Sequence, residues 1–199
     1  RVPNLEGLNL AAAGVETTKA GVAVDDRMRT SVPGIWAAGD VNAVAQFTPV
    51  AQYQARIAVA DMFGEESRAA DYSVLPTSIF TDPELGSVGL TEEQAREQRH
   101  DVEVVRNEFV RRFSYIDARH GLFKIVFDRE SRRVLGIHVV SRSAGDIVQG
   151  LSLGLRLGAT VEDLAAMHHV FPTFGEGVKA AAERAMPAMA ELVGSPVRD

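Results

Sequence analysis

For most of its length this sequence predicts an α+β fold built on an antiparallel sheet, preceded by a shorter α/β segment. Three observations carry that expectation. Hydrophobic residues make up 46% and charged residues 24% of the 199 positions, the proportions of a chain that packs a core. The runs VEVVRNEF, LFKIVFD and RVLGIHVV follow one another with turn signals between them and suit antiparallel strands with one face solvated. Strand and helix patterns come in blocks, and the pattern changes near residue 70, where GEESRAADYS is polar and lacks periodicity.

Residues 1–70 read as short strands and turns followed by one helix. GVAVD alternates apolar with polar residues, and IWAAGD is a buried-strand-like run ending in Gly. From Pro49 the stretch PVAQYQARIAVADMFG places Val50, Tyr53, Ile57, Ala60 and Met62 near one face and stops at Gly64, a usual helix terminator. A domain boundary is placed at about residue 70. In residues 71–199, TSIF and SVGL read as strands, and Thr91 with Gln94 three residues on opens a helix by a capping box. After the three longer strands come a helix from about Ser143 to Leu157, a short one after Thr160, and a last one from about Thr173 to Val193.

The formal net charge of -6 offers no basic field for phosphate backbones or anionic lipid, so neither nucleic acid nor a membrane surface is an expected partner. No apolar run approaches the roughly 20 residues that span a bilayer, and RVPNLEGLNL lacks the layout of a signal peptide. The expected location is cytoplasmic. With Cys at 0 the chain holds no disulfide, thiolate nucleophile or cysteine-bound metal. The five histidines lack partner ligands at useful spacing, so no metal site is expected. A start on Arg1, followed by a Gly-punctuated segment, reads as the interior of a longer protein.

In TSVPGIWAAGD, Pro33 and Gly34 set a turn, Ile35 to Ala38 form a strand with small residues at its end, and Gly39 presents Asp40. A carboxylate there, preceded only by small residues, can approach a cofactor and accept hydrogen bonds from sugar-like hydroxyls. The run resembles the second FAD motif of flavoprotein disulfide reductases, the class I pyridine nucleotide-disulfide oxidoreductases, whose closing Asp binds the ribityl chain. QFTPVAQYQARIAV is similar to that family's next segment. The resemblance implies that the backbone at Pro49, Val50 and Ala51 lies against the polar edge of the flavin, where a helix N-terminus favours an anionic reduced ring. Gly39, Asp40, Pro49, Val50 and Ala51 are thus the expected cofactor contacts.

LPTSIFTDPELGSVGLTEEQA is similar to the opening of the same family's dimerisation domain, and RRVLGIHVVSRSAGDIVQGLSLGL to its next hallmark. Read from the residues alone, Ser143 with Asp146 is a helix cap and His138 a packed histidine. The implied fold is the end of an FAD-binding α/β domain followed by the antiparallel dimerisation domain with flanking helices.

HHVFPTFGEGVKAAAE resembles the loop His-Pro-Thr-x-x-Glu that crosses the dimer interface in this family, with one departure. Phe171 stands before Pro172, where lipoamide dehydrogenases and glutathione reductases carry a catalytic imidazole, and a phenyl ring transfers no protons. Glu176, which in the family orients that imidazole, sits three residues after Thr173, so the cap of the last helix is its stronger reading and a catalytic role the weaker one. The resemblance implies a parent that passes a hydride from NAD(P)H to FAD and then electrons onward. Without the imidazole it would be mercuric-reductase-like or transhydrogenase-like. It would be a homodimer joined through the apolar stretch at Val170, Phe171 and Phe174, and this portion alone, without the N-terminal FAD and NAD(P) regions, would be inactive. The alternative is a stand-alone dimeric interaction module with a remnant flavin motif.

Overall fold

The computed structural model describes residues 2–64, 68–108 and 121–186. The chain divides into two compact units, Arg1–Asp71 and Tyr72–Asp199.

In the first unit the only α-helix among the described residues is α1, Thr48–Met62, with Pro in its first turn. Short 3-10 turns occupy Leu10–Ala13 and Asp40–Asn42. The strands expected at GVAVD and IWAA are isolated bridges instead, Thr17 with Val22 and Arg29 with Trp36. The second pairing is a tight local connection, closed by Thr30 N–H to Ile35 O at 3.0 Å and Ala37 N–H to Met28 O at 3.0 Å. It leaves no length over which a ladder could extend. The face α1 buries also differs from the expected one. Val50, Gln54, Ile57 and Ala58 are buried, whereas Tyr53 and Met62 are exposed. The apolar core here is small: Met28, Ile57 and Ala58, with Val24, Trp36 and Ala70 packed against them.

The second unit is a sheet with helices. Its strands are β1 Thr77–Ile79, β2 Glu84–Gly89, β3 Val102–Glu108, β4 Leu122–Asp128 and β5 Val134–Ser141. They lie in the order β1-β2-β5-β4-β3, every neighbour antiparallel. The helices are α2 Glu92–Glu97, α3 Ala144–Arg156, α4 Val161–Ala166 and α5 Glu176–Glu183. The last residue of VEVVRNEF, and the expected continuation of the last helix from residue 187 to 193, lie outside the described residues.

Alternation decides which face is buried. Phe123, Ile125 and Phe127 on β4, with Ile137 and Val139 on β5 and Val88 on β2, point to the face covered by α3 and α5 and are 2% exposed or less. Burying side chains of this size stabilises the unit by roughly 1.5–3 kcal/mol each. α3 packs on β1, β2 and β5, and α5 on β3 and β4. The axis of α5 comes so close to β4 that a Cβ added at Gly177 would stand 2.3 Å from the Phe123 ring.

The other face is not simply solvated. At one end α2 covers it with Ala95 over Val102 and Val126. Elsewhere it carries a polar row in register across the strands, Thr77, Ser87, His138, Lys124 and Arg106.

Capping follows the sequence at two helices and departs from it at a third. Thr91 with Gln94, and Thr160 with Asp163, form complete capping boxes. Ser143 does not cap α3, because it stands in the left-handed region at φ 57° with its side chain unused for capping. The first turn of α3 takes its anion from a neighbouring strand: Gly145 N–H donates to the Glu84 carboxylate at 3.2 Å.

Candidate functional site

Two groups of the residues singled out from sequence come together in space within the first unit. Gly39 has φ 85° and ψ −155°, a region that residues bearing a Cβ essentially do not enter. A Cβ built there would lie 3.2 Å from the Ala51 Cβ, so Gly39 sits directly against the first turn of α1. Asp40 follows with its side chain exposed and begins the 3-10 turn Asp40–Asn42. A carboxylate is therefore presented on a tight turn beside a helix start.

The first turn of α1 offers less than its resemblance implied. Pro49 has no N–H, and the N–H groups of Val50 and Ala51 both donate to Phe47 O, at 3.0 and 3.1 Å. Val50 is a core side chain, 1% exposed. What this end presents outward is the positive end of the helix dipole and the exposed Pro49.

The turn is fastened by side chains that the sequence reading passed over. Gln54 is fully buried. Its Oε1 accepts from Gly39 N–H at 2.7 Å and from Asn42 Nδ2 at 2.9 Å. The Gly39 amide can only donate, which fixes the oxygen end of Gln54 toward it. Asn42 Nδ2 also donates to Ala37 O at 3.1 Å, while its Oδ1 accepts from Val44 N–H at 3.2 Å. A further tie comes from Val22 N–H to Val41 O at 3.0 Å. One signal could have revealed Gln54: it stands four residues after Val50 and three before Ile57, on the face α1 buries.

Behind the turn, Asp61 of α1 accepts from Arg29 Nε at 2.6 Å and from Trp36 Nε1 at 2.9 Å. These bonds, that from Arg29 foremost, hold its carboxyl down at about 2.

The second unit holds the remaining candidates. Val170 and Phe171 are 78% and 69% exposed, and Leu153 on α3 and Leu157 just after it are 63% and 77% exposed. Phe174, expected to share the apolar surface, is half-buried. Glu176 Oε1 accepts from Thr173 N–H at 2.9 Å, which is one bond of the expected capping box. The other is missing: Glu176 N–H donates to the Thr173 backbone O at 3.3 Å, while the Thr173 hydroxyl donates to Val170 O at 2.8 Å. His138 Nε2 donates to Leu90 O at 3.1 Å and its Nδ1 accepts from the Ser87 hydroxyl at 2.7 Å, so both ring nitrogens are engaged. Burial pushes this imidazole below its ordinary value and keeps it neutral. His120 lies outside the described residues.

Residues 75–182 match the family model described as pyridine nucleotide-disulphide oxidoreductase, dimerisation domain, and residues 1–55 match that described as pyridine nucleotide-disulphide oxidoreductase. The chain belongs to the pyridine nucleotide-disulphide oxidoreductase family. Among its relatives, a mercuric reductase of Lysinibacillus sphaericus is 43% identical over 185 residues, which is 92% of this chain and 34% of that protein. A glutathione reductase of Pisum sativum is 37% identical over 88% of this chain and 32% of its own length. A dihydrolipoyl dehydrogenase of Bacillus subtilis (strain 168) is 35% identical over 99% of this chain and 41% of its own. The chain thus spans about a third of the length of the first of these family relatives. Among solved structures, the Cu(II) complex of the HOCl-induced flavoprotein disulfide reductase RclA from Escherichia coli superposes with a TM-score of 0.83 at 27% identity, over 94% of this chain and 43% of that one. LpdA from Mycobacterium tuberculosis superposes with a TM-score of 0.80 at 28% identity, over 93% and 41%. Among the described residues no helix is long and apolar enough to cross a membrane.

Proposed function

We propose that this chain is the C-terminal portion of an FAD-dependent NAD(P)H oxidoreductase. In this reading residues 1–70 close the FAD-binding domain and residues 71–199 form the homodimer interface. The observation that carries it is Gly39, held in a glycine-only conformation against Ala51 so that the exposed carboxylate of Asp40 stands beside the start of α1. The residues fit the cofactor. Asp40 would accept hydrogen bonds from the ribityl hydroxyls, each such bond to a charged group being worth roughly 1.5–3 kcal/mol. The Pro49–Ala51 turn would supply a positive dipole end, though few free donors, toward the flavin ring. The bound FAD would take a hydride from NAD(P)H. This chain itself contributes no thiol to the site, since it contains 0 Cys.

The loop 168–174 refines the reading. Phe171 occupies the place of the family's imidazole and is 69% exposed. It moves no proton, so the acceptor is expected to be one that needs no imidazole: a metal ion, as in mercuric-reductase-like chemistry, or a nicotinamide, as in transhydrogenase-like chemistry. Glu176 serves the helix start.

The test is the purified full-length protein. A yellow preparation with a flavin spectrum, low turnover on lipoamide or glutathione disulfide, and higher disulfide turnover in Phe171→His is the expected outcome. A protein that stays colourless when saturated with FAD overturns the flavin reading, and brisk disulfide turnover by the unaltered protein overturns the acceptor reading.

A further inference from the structure

The Asp40 turn has no regular structure to hold it, yet its backbone is pinned on both sides by two buried amides. Gln54 and Asn42 are 0% and 7% exposed. Burying primary amides is unfavourable unless their hydrogen bonds are made, and here the bonds go to Ala37 O, Gly39 N and Val44 N, the backbone before and after Asp40. An apolar residue at position 54 would suit the helix face equally well. It would leave the Gly39 N–H without its acceptor, in a backbone conformation open only to glycine.

We propose that Gln54, with Asn42, is a positioning residue for the cofactor site: the pair locks the Gly39–Asp40 turn so that the Asp40 carboxylate is held ready for the polyol of the flavin, rather than sampling other conformations. The proposal rests on the assignment of Asp40 as the ribityl contact. Gln54 touches the turn and acts through Asp40. Preorganisation of this kind raises affinity by removing the cost of ordering the loop on binding.

A double-mutant cycle on the full-length protein tests it, with FAD added back to the apoprotein and binding followed by quenching of flavin fluorescence. Gln54→Leu, which removes the oxygen that accepts from both the Gly39 amide and Asn42 Nδ2, is expected to weaken FAD binding about tenfold or more. Gln54→Glu, which keeps an acceptor oxygen at the same reach, should restore most of the loss. In an Asp40→Ala background, Gln54→Leu should cost almost nothing further, because the group it positions is gone. Wild-type affinity in Gln54→Leu, or the same tenfold loss in both backgrounds, overturns the positioning role and leaves the Asp40 contact standing. Wild-type affinity in Asp40→Ala overturns the contact itself. Should Gln54→Leu fail to fold, Asn42→Ala leaves the Gly39–Gln54 bond in place and enters the same cycle under the same criterion.

Discussion

The two units of this chain are held together by different means. The second is a five-stranded sheet whose alternating Phe, Ile and Val side chains interdigitate with α3 and α5. The first has an apolar cluster of little more than Met28, Ile57 and Ala58. It relies on side-chain bonds to irregular backbone from Gln54, Asn42 and Thr30, and on the Asp61 carboxylate tied to the Arg29 and Trp36 side chains. A packed sheet tolerates almost no change in volume but is indifferent to the loss of one surface hydrogen bond. A polar-pinned turn behaves in the opposite way, which suits a region whose work is to present one carboxylate.

The contrast can be broken at four places. Gly177→Val should have the largest effect, because a Cβ there would overlap the Phe123 ring at 2.3 Å. The expected loss is about 3 kcal/mol, read from denaturant unfolding of the second unit. Gly39→Ala places a Cβ in a forbidden backbone region and should cost about 1–3 kcal/mol in the first unit, seen as early unfolding together with loss of flavin. A melt indistinguishable from wild type would mean that the turn is not strained.

Phe171→Asp should leave unfolding unchanged, since the side chain is 69% exposed, but weaken self-association by about tenfold or more in equilibrium sedimentation. Phe171 is a cleaner probe than Phe174, whose half-burial would mix folding with association. Asp61→Asn should have the smallest effect, present at neutral pH and fading in acid. The Asp61 carboxyl is held at about 2 by Arg29 and Trp36, below its unfolded value near 4. Its stabilisation is therefore complete above about pH 4 and is lost as pH falls toward 2. The variant's first unit should be less stable at neutral pH and show a flatter acid limb.

Much of the second unit was legible in the sequence because its signals are local and repeated. LFKIVFD and RVLGIHVV alternate as half-buried strands must, and Thr91 with Gln94 spells out its own cap. The candidate site was legible only in part. Gly39 and Asp40 announced themselves, whereas Gln54 looked like one more polar residue on an amphipathic helix, and Tyr53 took its place in the expected core. A partner that is a backbone N–H fifteen residues away leaves no trace in periodicity. The α3 cap escaped for the same reason: Ser143 is the right residue type in the right place, but the helix start is met by Glu84, sixty-one residues before the Gly145 amide it accepts from.

What the sequence determined by itself was the alternation of side chains, the glycine that alone can occupy φ 85° before Asp40, and the absence of any thiol or proton-carrying residue at positions 171 and 172. These are properties of single residues and nearest neighbours. Tertiary structure decided which buried polar groups find partners, that IWAA bridges rather than runs as a strand, and that α2 covers one end of the second sheet face. A hydrogen bond or a packed face is made only when the chain brings distant groups together, and no local pattern records which groups those will be.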